Sequence, residues 1–152
     1  MTDIFNYNRR KSSTVKAGNC LIGGDNPIRL QSMTTTNTND TEASVEQAIR
    51  IIKAGGELVR LTTQGTREAL NMGNIRYALR CRGYSVPLVA DVHFNANVAD
   101  VAAEHCDKVR INPGNYTDPA RKFRHIEYTD EEYAAELQKI EERLLPFIDV
   151  CR

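Results

Sequence analysis

Six residues of this sequence have the types and spacing to grip a phosphorylated small molecule: Gln31, Arg60, Asp91, His93, Arg110 and Asn112. Most stand near the ends of short apolar runs. In Pro87-Leu-Val-Ala-Asp-Val-His-Phe94, the residues Leu88, Ala90 and Val92 alternate with Val89, Asp91 and His93. In Lys108-Val-Arg-Ile-Asn112, Val109 and Ile111 alternate with Lys108, Arg110 and Asn112. Side chains of a strand point to alternate faces, so each run has one apolar face and one polar face. Arg60 falls on the polar side of a third run, where it shares a face with Leu58 and Thr62 while Val59 and Leu61 take the other.

Cations on the inner face of a sheet are costly unless anions meet them. Arg60 and Arg110 come from different strands, so they are not one helix's solvated face. A phosphate or diphosphate matches the planar, many-donor guanidinium groups. Asn112 can donate to a phosphate or hydroxyl, and His93 can hydrogen-bond a phosphate or act as an acid. Asp91 can orient a hydroxyl or a neighbouring arginine. A ligand-free alternative stands beside this: Asp91 and Arg110 can be each other's partners across adjacent strands. Asp-x-His is also half of a metal site, but no further His or carboxylate stands at a strand end, so no metal ligand is assigned. No catalytic residue is assigned either.

Elements must bring these residues together. Strands are expected over 28–33, 57–63, 87–93 and 108–112. In the first, Ile28 and Leu30 face outward while Arg29, Gln31 and Met33 face inward. A Thr- and Asn-rich loop over 34–41 follows. Helix signals alternate with the strands. Asn39 or Asp40 caps a helix with the stripe Val45, Ala48, Ile49 and Ile52, closed by Gly55-Gly56. The next spans Thr66 to Cys81 with the stripe Ala69, Met72, Ile75 and Leu79, closed by Gly83. A third starts at Asn95 or Asn97 and buries Val98, Val101 and Ala102. Thr129-Asp-Glu-Glu132 has the form of a capping box before Tyr133, Leu137, Ile140 and Leu144, and Pro146 is expected to end that helix. Near the N-terminus, two short strands around a Gly18-Asn19 turn form a hairpin that covers the bottom of the sheet.

The class is α/β. Alternating βα units give a parallel sheet with its site at the strand C-termini. A polar inner face argues against helices on both sides, and four units are half of a complete (β/α)₈ barrel, which takes about 250 residues. The expectation is a partial TIM barrel made of the first four βα units. Residues 1–27 form the lead-in and hairpin, and residues 28–152 the first half of a substrate-binding barrel.

Composition narrows the function. The chain has 152 residues, 41% hydrophobic and 26% charged, enough for one core. Twenty basic and twenty acidic residues cancel, so nothing marks a nucleic-acid or anionic-membrane partner. No apolar run has the length of a membrane helix. The basic N-terminus lacks a following apolar segment, which points to a cytoplasmic protein. Cys20, Cys81, Cys106 and Cys151 form no CxxC pair and read as reduced, mostly packed thiols. His105 and His125 read as surface or helix-end residues, and Arg121-Lys-Phe-Arg-His125 as a solvated loop.

Six motifs in order then carry a resemblance: Val15-Lys-Ala-Gly-Asn19, Ile22-Gly-Gly-Asp-Asn-Pro-Ile28, Gln31-Ser-Met-Thr34, Ala54-Gly-Gly-Glu-Leu-Val-Arg60, Val89-Ala-Asp-Val-His-Phe94 and Arg110-Ile-Asn-Pro-Gly-Asn115. The sequence resembles the N-terminal part of the 4-hydroxy-3-methylbut-2-enyl diphosphate synthases, in their long, insert-containing form. The resemblance implies a TIM barrel that binds 2-C-methyl-D-erythritol 2,4-cyclodiphosphate in isoprenoid biosynthesis. It also implies a homodimeric parent enzyme with a separate C-terminal domain. That domain holds a [4Fe-4S] cluster fed by ferredoxin or flavodoxin, for reductive ring opening with loss of water. Carried over by motif, Arg60, Asp91, His93, Arg110 and Asn112 hold the substrate, and Gln31, Ser32 and Met33 line the floor. The later strands and the cluster domain are not matched by these residues, and no cysteine here fits a cluster-ligand motif. The segment alone is therefore expected to bind no cluster and to be inactive. Two alternatives remain. One is a TIM barrel acting on another phosphorylated or pterin substrate, with Asp91 as acid–base. The other is a non-catalytic half-barrel that self-associates through its open sheet edges.

Overall fold

The computed structural model describes residues 10–93, 95–113, 116–117 and 127–152. Strands β1 (Val15–Ala17) and β2 (Cys20–Ile22) form an antiparallel hairpin. Then come β3 (Gln31–Met33), α1 (Thr41–Lys53), β4 (Leu58–Thr63), α2 (Thr66–Cys81), β5 (Leu88–Val92), α3 (Ala96–His105), β6 (Lys108–Arg110) and α4 (Asp130–Cys151). Strands β3 to β6 make one parallel sheet in the order β3-β4-β5-β6. Sequential order with a helix after each strand is what repeated βα units dictate.

Two apolar layers sandwich the sheet's backbone. On the helix side, Val59 and Leu61 of β4 and Leu88, Ala90 and Val92 of β5 meet Val45 and Ala48 of α1 and Met72 and Ile75 of α2. The expected stripe of α2, Ala69, Met72, Ile75 and Leu79, is buried throughout. On α3 the buried residues are Val98, Ala99 and Ala102, with Val101 only half-buried. On the other face, Leu58 and Val89 pack against Ala17 and Cys20, so the hairpin sits beneath the N-terminal ends of β4 and β5. Its turn needs Gly18, whose φ is +56° and whose missing Cβ would lie 3.2 Å from Pro87.

The helix starts follow local chemistry. The Asp40 carboxylate accepts from the Ala43 amide at 3.0 Å, and Asn95 caps α3. Thr129 and Glu132 form the reciprocal capping box of α4.

Three expectations need correction. Strand β3 begins at Gln31, not Ile28, and Ile28 and Leu30 are exposed. Arg29 lies on the hairpin side, at the strand N-termini. Its guanidinium donates to Glu57 at 2.8 Å and to the Leu21 carbonyl at 2.9 Å, while Glu57 also accepts from the Leu30 amide at 2.9 Å. That ion pair ties residues 29–30 to the start of β4, where the Leu30 carbonyl also accepts from the Glu57 and Leu58 amides at 2.8 and 3.1 Å. Second, Pro146 does not end α4, which runs on to Cys151. The missing amide is offset by tertiary packing: Phe147 is buried against Tyr116, with ring centroids 5.9 Å apart. In the first turns of that helix, Tyr133 and Leu137 are exposed, while Leu144 packs on the core. Third, only Cys20 and Cys106 are packed; Cys81 and Cys151 are exposed. The Arg121–His125 run lies outside the described residues.

Candidate functional site

Register alone gathers the site. Asp91 on β5 is the partner of Thr62 on β4 and of Arg110 on β6, and Met33 on β3 is the partner of Arg60. Arg60 therefore starts two residues nearer the strand N-termini than Asp91. Its long side chain reaches up the sheet to the carboxylate. The face opposite the helices thus carries Met33, Arg60, Thr62, Asp91 and Arg110 at adjoining heights.

Asp91 is the centre. Its side chain is 2% exposed. Oδ2 accepts from Arg60 Nη2 and lies 3.1 Å from His93 Nε2, and Oδ1 accepts from Arg110 Nη1 at 3.2 Å. Three strand segments thus send a nitrogen-rich side chain to one buried carboxylate. Burial pushes the Asp91 carboxyl up, but the hydrogen bonds from Arg60 and His93 outweigh it and hold the group below the ordinary carboxylate value. Asp91 is therefore an anion near neutrality. Two guanidinium charges against one carboxylate leave a surplus positive charge on this face. Asp91 does not satisfy Arg60 fully, because its Nε is buried without a hydrogen-bond partner. The two arginines stay open to the mouth, with side chains 28% (Arg60) and 42% (Arg110) exposed.

The remaining candidates fall into place unequally. Asn112 lies two residues past Arg110, exposed, beyond the end of β6. Gln31 is the register partner of Leu58, one step below Met33 and Arg60. It lines a cavity of about 930 Å³ shared with the hairpin loop, Arg29 and Lys108, at the strand N-termini and away from Asp91. Ser32 departs from the set. It is paired with Val59, whose side chain is in the helix-side core, so it faces α1 and lines a groove with Gln47 and Ile51.

The six-residue set did not include two neighbours. Thr62 and Lys108 share the parity of Arg60 and Arg110, and that alternation was the signal that could have found them. The 34–41 loop is also more ordered than its composition foretells. Gln47 Oε1 accepts from the Thr35 and Thr36 amides at 3.0 and 3.2 Å. Asn71 Nδ2 donates to the Thr38 carbonyl at 2.7 Å, and Thr38 Oγ1 to the Thr62 carbonyl at 2.7 Å. Helices α1 and α2 thus pin the loop that borders the cluster. No local pattern reveals such long-range side-chain contacts.

Cys20 is in the hairpin core and Cys106 is half-buried after α3, where its thiol is pushed up to about 11, first by desolvation. Cys81 and Cys151 are exposed at the ends of other helices. Among the described residues no group of three or more His, Cys, Asp or Glu side chains could hold a metal ion. These residues do not fit an iron–sulfur cluster. Among the described residues no helix is long and apolar enough to cross a membrane.

The family model described as the GcpE TIM-barrel domain matches residues 12–146. The 4-hydroxy-3-methylbut-2-en-1-yl diphosphate synthase (flavodoxin) of Bacteroides fragilis is 65% identical over 150 residues, covering 99% of this chain and 24% of that protein. The enzyme of the same name from Parabacteroides distasonis is 60% identical over 148 residues, covering 97% and 24%. The chloroplastic ferredoxin form of Oryza sativa subsp. japonica is 43% identical over 149 residues, covering 98% and 20%. The chain thus spans about a quarter of the length of the curated relatives it matches. With a family match over nearly its whole length, this chain belongs to the GcpE TIM-barrel domain family.

Proposed function

We propose that the four βα units are the first half of a (β/α)₈ barrel. Residues 1–27 form the lead-in and hairpin, and residues 28–152 the half-barrel. Its inner face grips the diphosphate of 2-C-methyl-D-erythritol 2,4-cyclodiphosphate. The complete enzyme opens that ring by a two-electron reduction with loss of water, giving 4-hydroxy-3-methylbut-2-enyl diphosphate. One observation carries this reading: Arg60, His93 and Arg110 converge on Asp91 and leave the face with surplus positive charge. Arg60 and Arg110 supply paired donors to the diphosphate, His93 and Asn112 add hydrogen bonds, and Met33 lines the floor, with Gln31 one step below it in the cavity at the strand N-termini. Ser32, which faces α1, takes no part. Electrons come from a flavodoxin or a ferredoxin, the donors in the relatives' names. They enter through parts of the enzyme other than these residues, which hold no cluster. This chain alone binds diphosphate without turning it over.

The test is a chimera in which this chain replaces the matching quarter of the Bacteroides fragilis synthase. It should convert the cyclic diphosphate. Arg60→Ala and Arg110→Ala should each weaken substrate binding about 10- to 100-fold, the worth of one charge-assisted contact. An inactive chimera, or unchanged binding in both variants, overturns the proposal.

A further inference from the structure

We infer that Asp91 is a positioning residue and not a ligand of the diphosphate: it sets the two guanidinium groups and the imidazole that make the contact. This rests on the diphosphate reading above and deepens it.

Access argues first. The Asp91 side chain is 2% exposed, whereas those of Arg60, His93 and Arg110 are 28%, 39% and 42% exposed. A ligand at the mouth meets the nitrogens before it meets the carboxylate. Saturation argues second. Oδ1 is taken by Arg110, and Oδ2 by Arg60 and His93. A phosphate oxygen would have to displace one of these to reach Asp91, and two anions in contact repel.

The register supplies the reason for placing Asp91 there. It stands on β5, between the strands that carry Arg60 and Arg110. Without it, two like charges would face each other over one strand, on long side chains free to swing into solvent. Asp91 cancels one charge and fixes both groups in advance, so less rotamer freedom is lost when the anion arrives. The neighbours facing the carboxylate from the adjoining strands are Arg60 and Thr62 on β4 and Arg110 on β6, with His93 just past its own strand.

Neutralising a negative charge beside an anion site strengthens binding if electrostatics alone acts. If Asp91 positions the arginines, Asp91→Asn weakens it. The measurement is calorimetric titration of the chain with inorganic pyrophosphate, backed by ³¹P NMR for weak binders. We expect Asp91→Asn to bind about tenfold more weakly. In the Arg60→Gln/Arg110→Gln background the same change should cost less than about twofold, because the groups it orients are gone. Tighter or unchanged binding by Asp91→Asn overturns the inference, as does an equal loss in both backgrounds. Failure of the underlying reading looks different: the unaltered chain ignores pyrophosphate, or Arg60→Gln and Arg110→Gln bind it as well as the unaltered chain does. Should Asp91→Asn not fold, a crystal structure of the unaltered chain with pyrophosphate decides. Both Asp91 oxygens should keep their three partners and stay beyond about 3.5 Å from any phosphate oxygen. A closer contact overturns the inference.

Discussion

Arg60→Met probes the cluster through stability rather than binding. It keeps an unbranched apolar stem and removes the donor that does most to hold the Asp91 carboxyl down. Hydrogen bonds to charged groups contribute about 1.5–3 kcal/mol each. Arg60 retains 28% side-chain exposure, so solvent screening places this one in the lower half of that range, about 2 kcal/mol at pH 7. With a urea slope of roughly 2 kcal/mol/M, the unfolding midpoint falls by about 1 M. The sign of the pH dependence follows from the lowered native value. In the unaltered chain, Asp91 contributes stability that is complete above the unfolded carboxyl value of about 3.9 and fades as pH falls through the lower folded value. In the variant, burial is no longer outweighed, and the folded value moves up. Protonation in acid then relieves the variant while it costs the unaltered chain. The stability gap should be widest near pH 7 and narrow steadily from about pH 5 toward pH 3. The assay is urea unfolding of both proteins across that range. A gap that stays constant with pH would refute the reasoning, because it would mean that Arg60 stabilises by packing and not through the Asp91 charge.

Other outcomes follow from the same structure. Met72 is fully buried between α2 and the sheet, so Met72→Ala should cost about 2–5 kcal/mol in denaturant unfolding. Thr129→Ala removes the hydroxyl half of the capping box, leaving the Glu132 carboxylate on the residue-129 amide, and should cost about 1 kcal/mol, with a small loss of helical circular dichroism. Native thiol labelling at pH 8 should modify Cys81 and Cys151, the latter more slowly because burial and Asp100 raise its thiol. Cys106, pushed up to about 11, and the buried Cys20 should react only once the chain is unfolded.

Much of this architecture was legible where local physics decides. The α2 stripe is buried as its spacing requires, and Asp40 and Thr129 cap the helices that follow them. Strand parity carried the site: Arg60, Asp91 and Arg110 share a face because each alternates with residues of the helix-side core. The misses share a physical cause in long-range partners. Residues 28–30 read as strand, but there the Glu57 side chain, not a neighbouring strand, takes the Leu30 amide and the Arg29 guanidinium. Pro146 reads as a stop, but Phe147 anchors the next turn against Tyr116. Ser32 came in with its motif neighbours even though alternation alone places it opposite Gln31 and Met33. The pinning of the 34–41 loop by Gln47 and Asn71 had no sequence signal at all, because those donors and acceptors lie a helix away.

Three strands share a single carboxylate, and this bears on how such a chain can evolve. An aspartate that holds two arginines couples three codons. Losing it alone strands two cations side by side. Losing one arginine alone leaves the other fully offset by the aspartate, with no positive charge to spare for an anion. Among homologues, the positions of Arg60, Asp91 and Arg110 should therefore change as a trio or stay put, while Met33 and Thr62 on the same face drift independently.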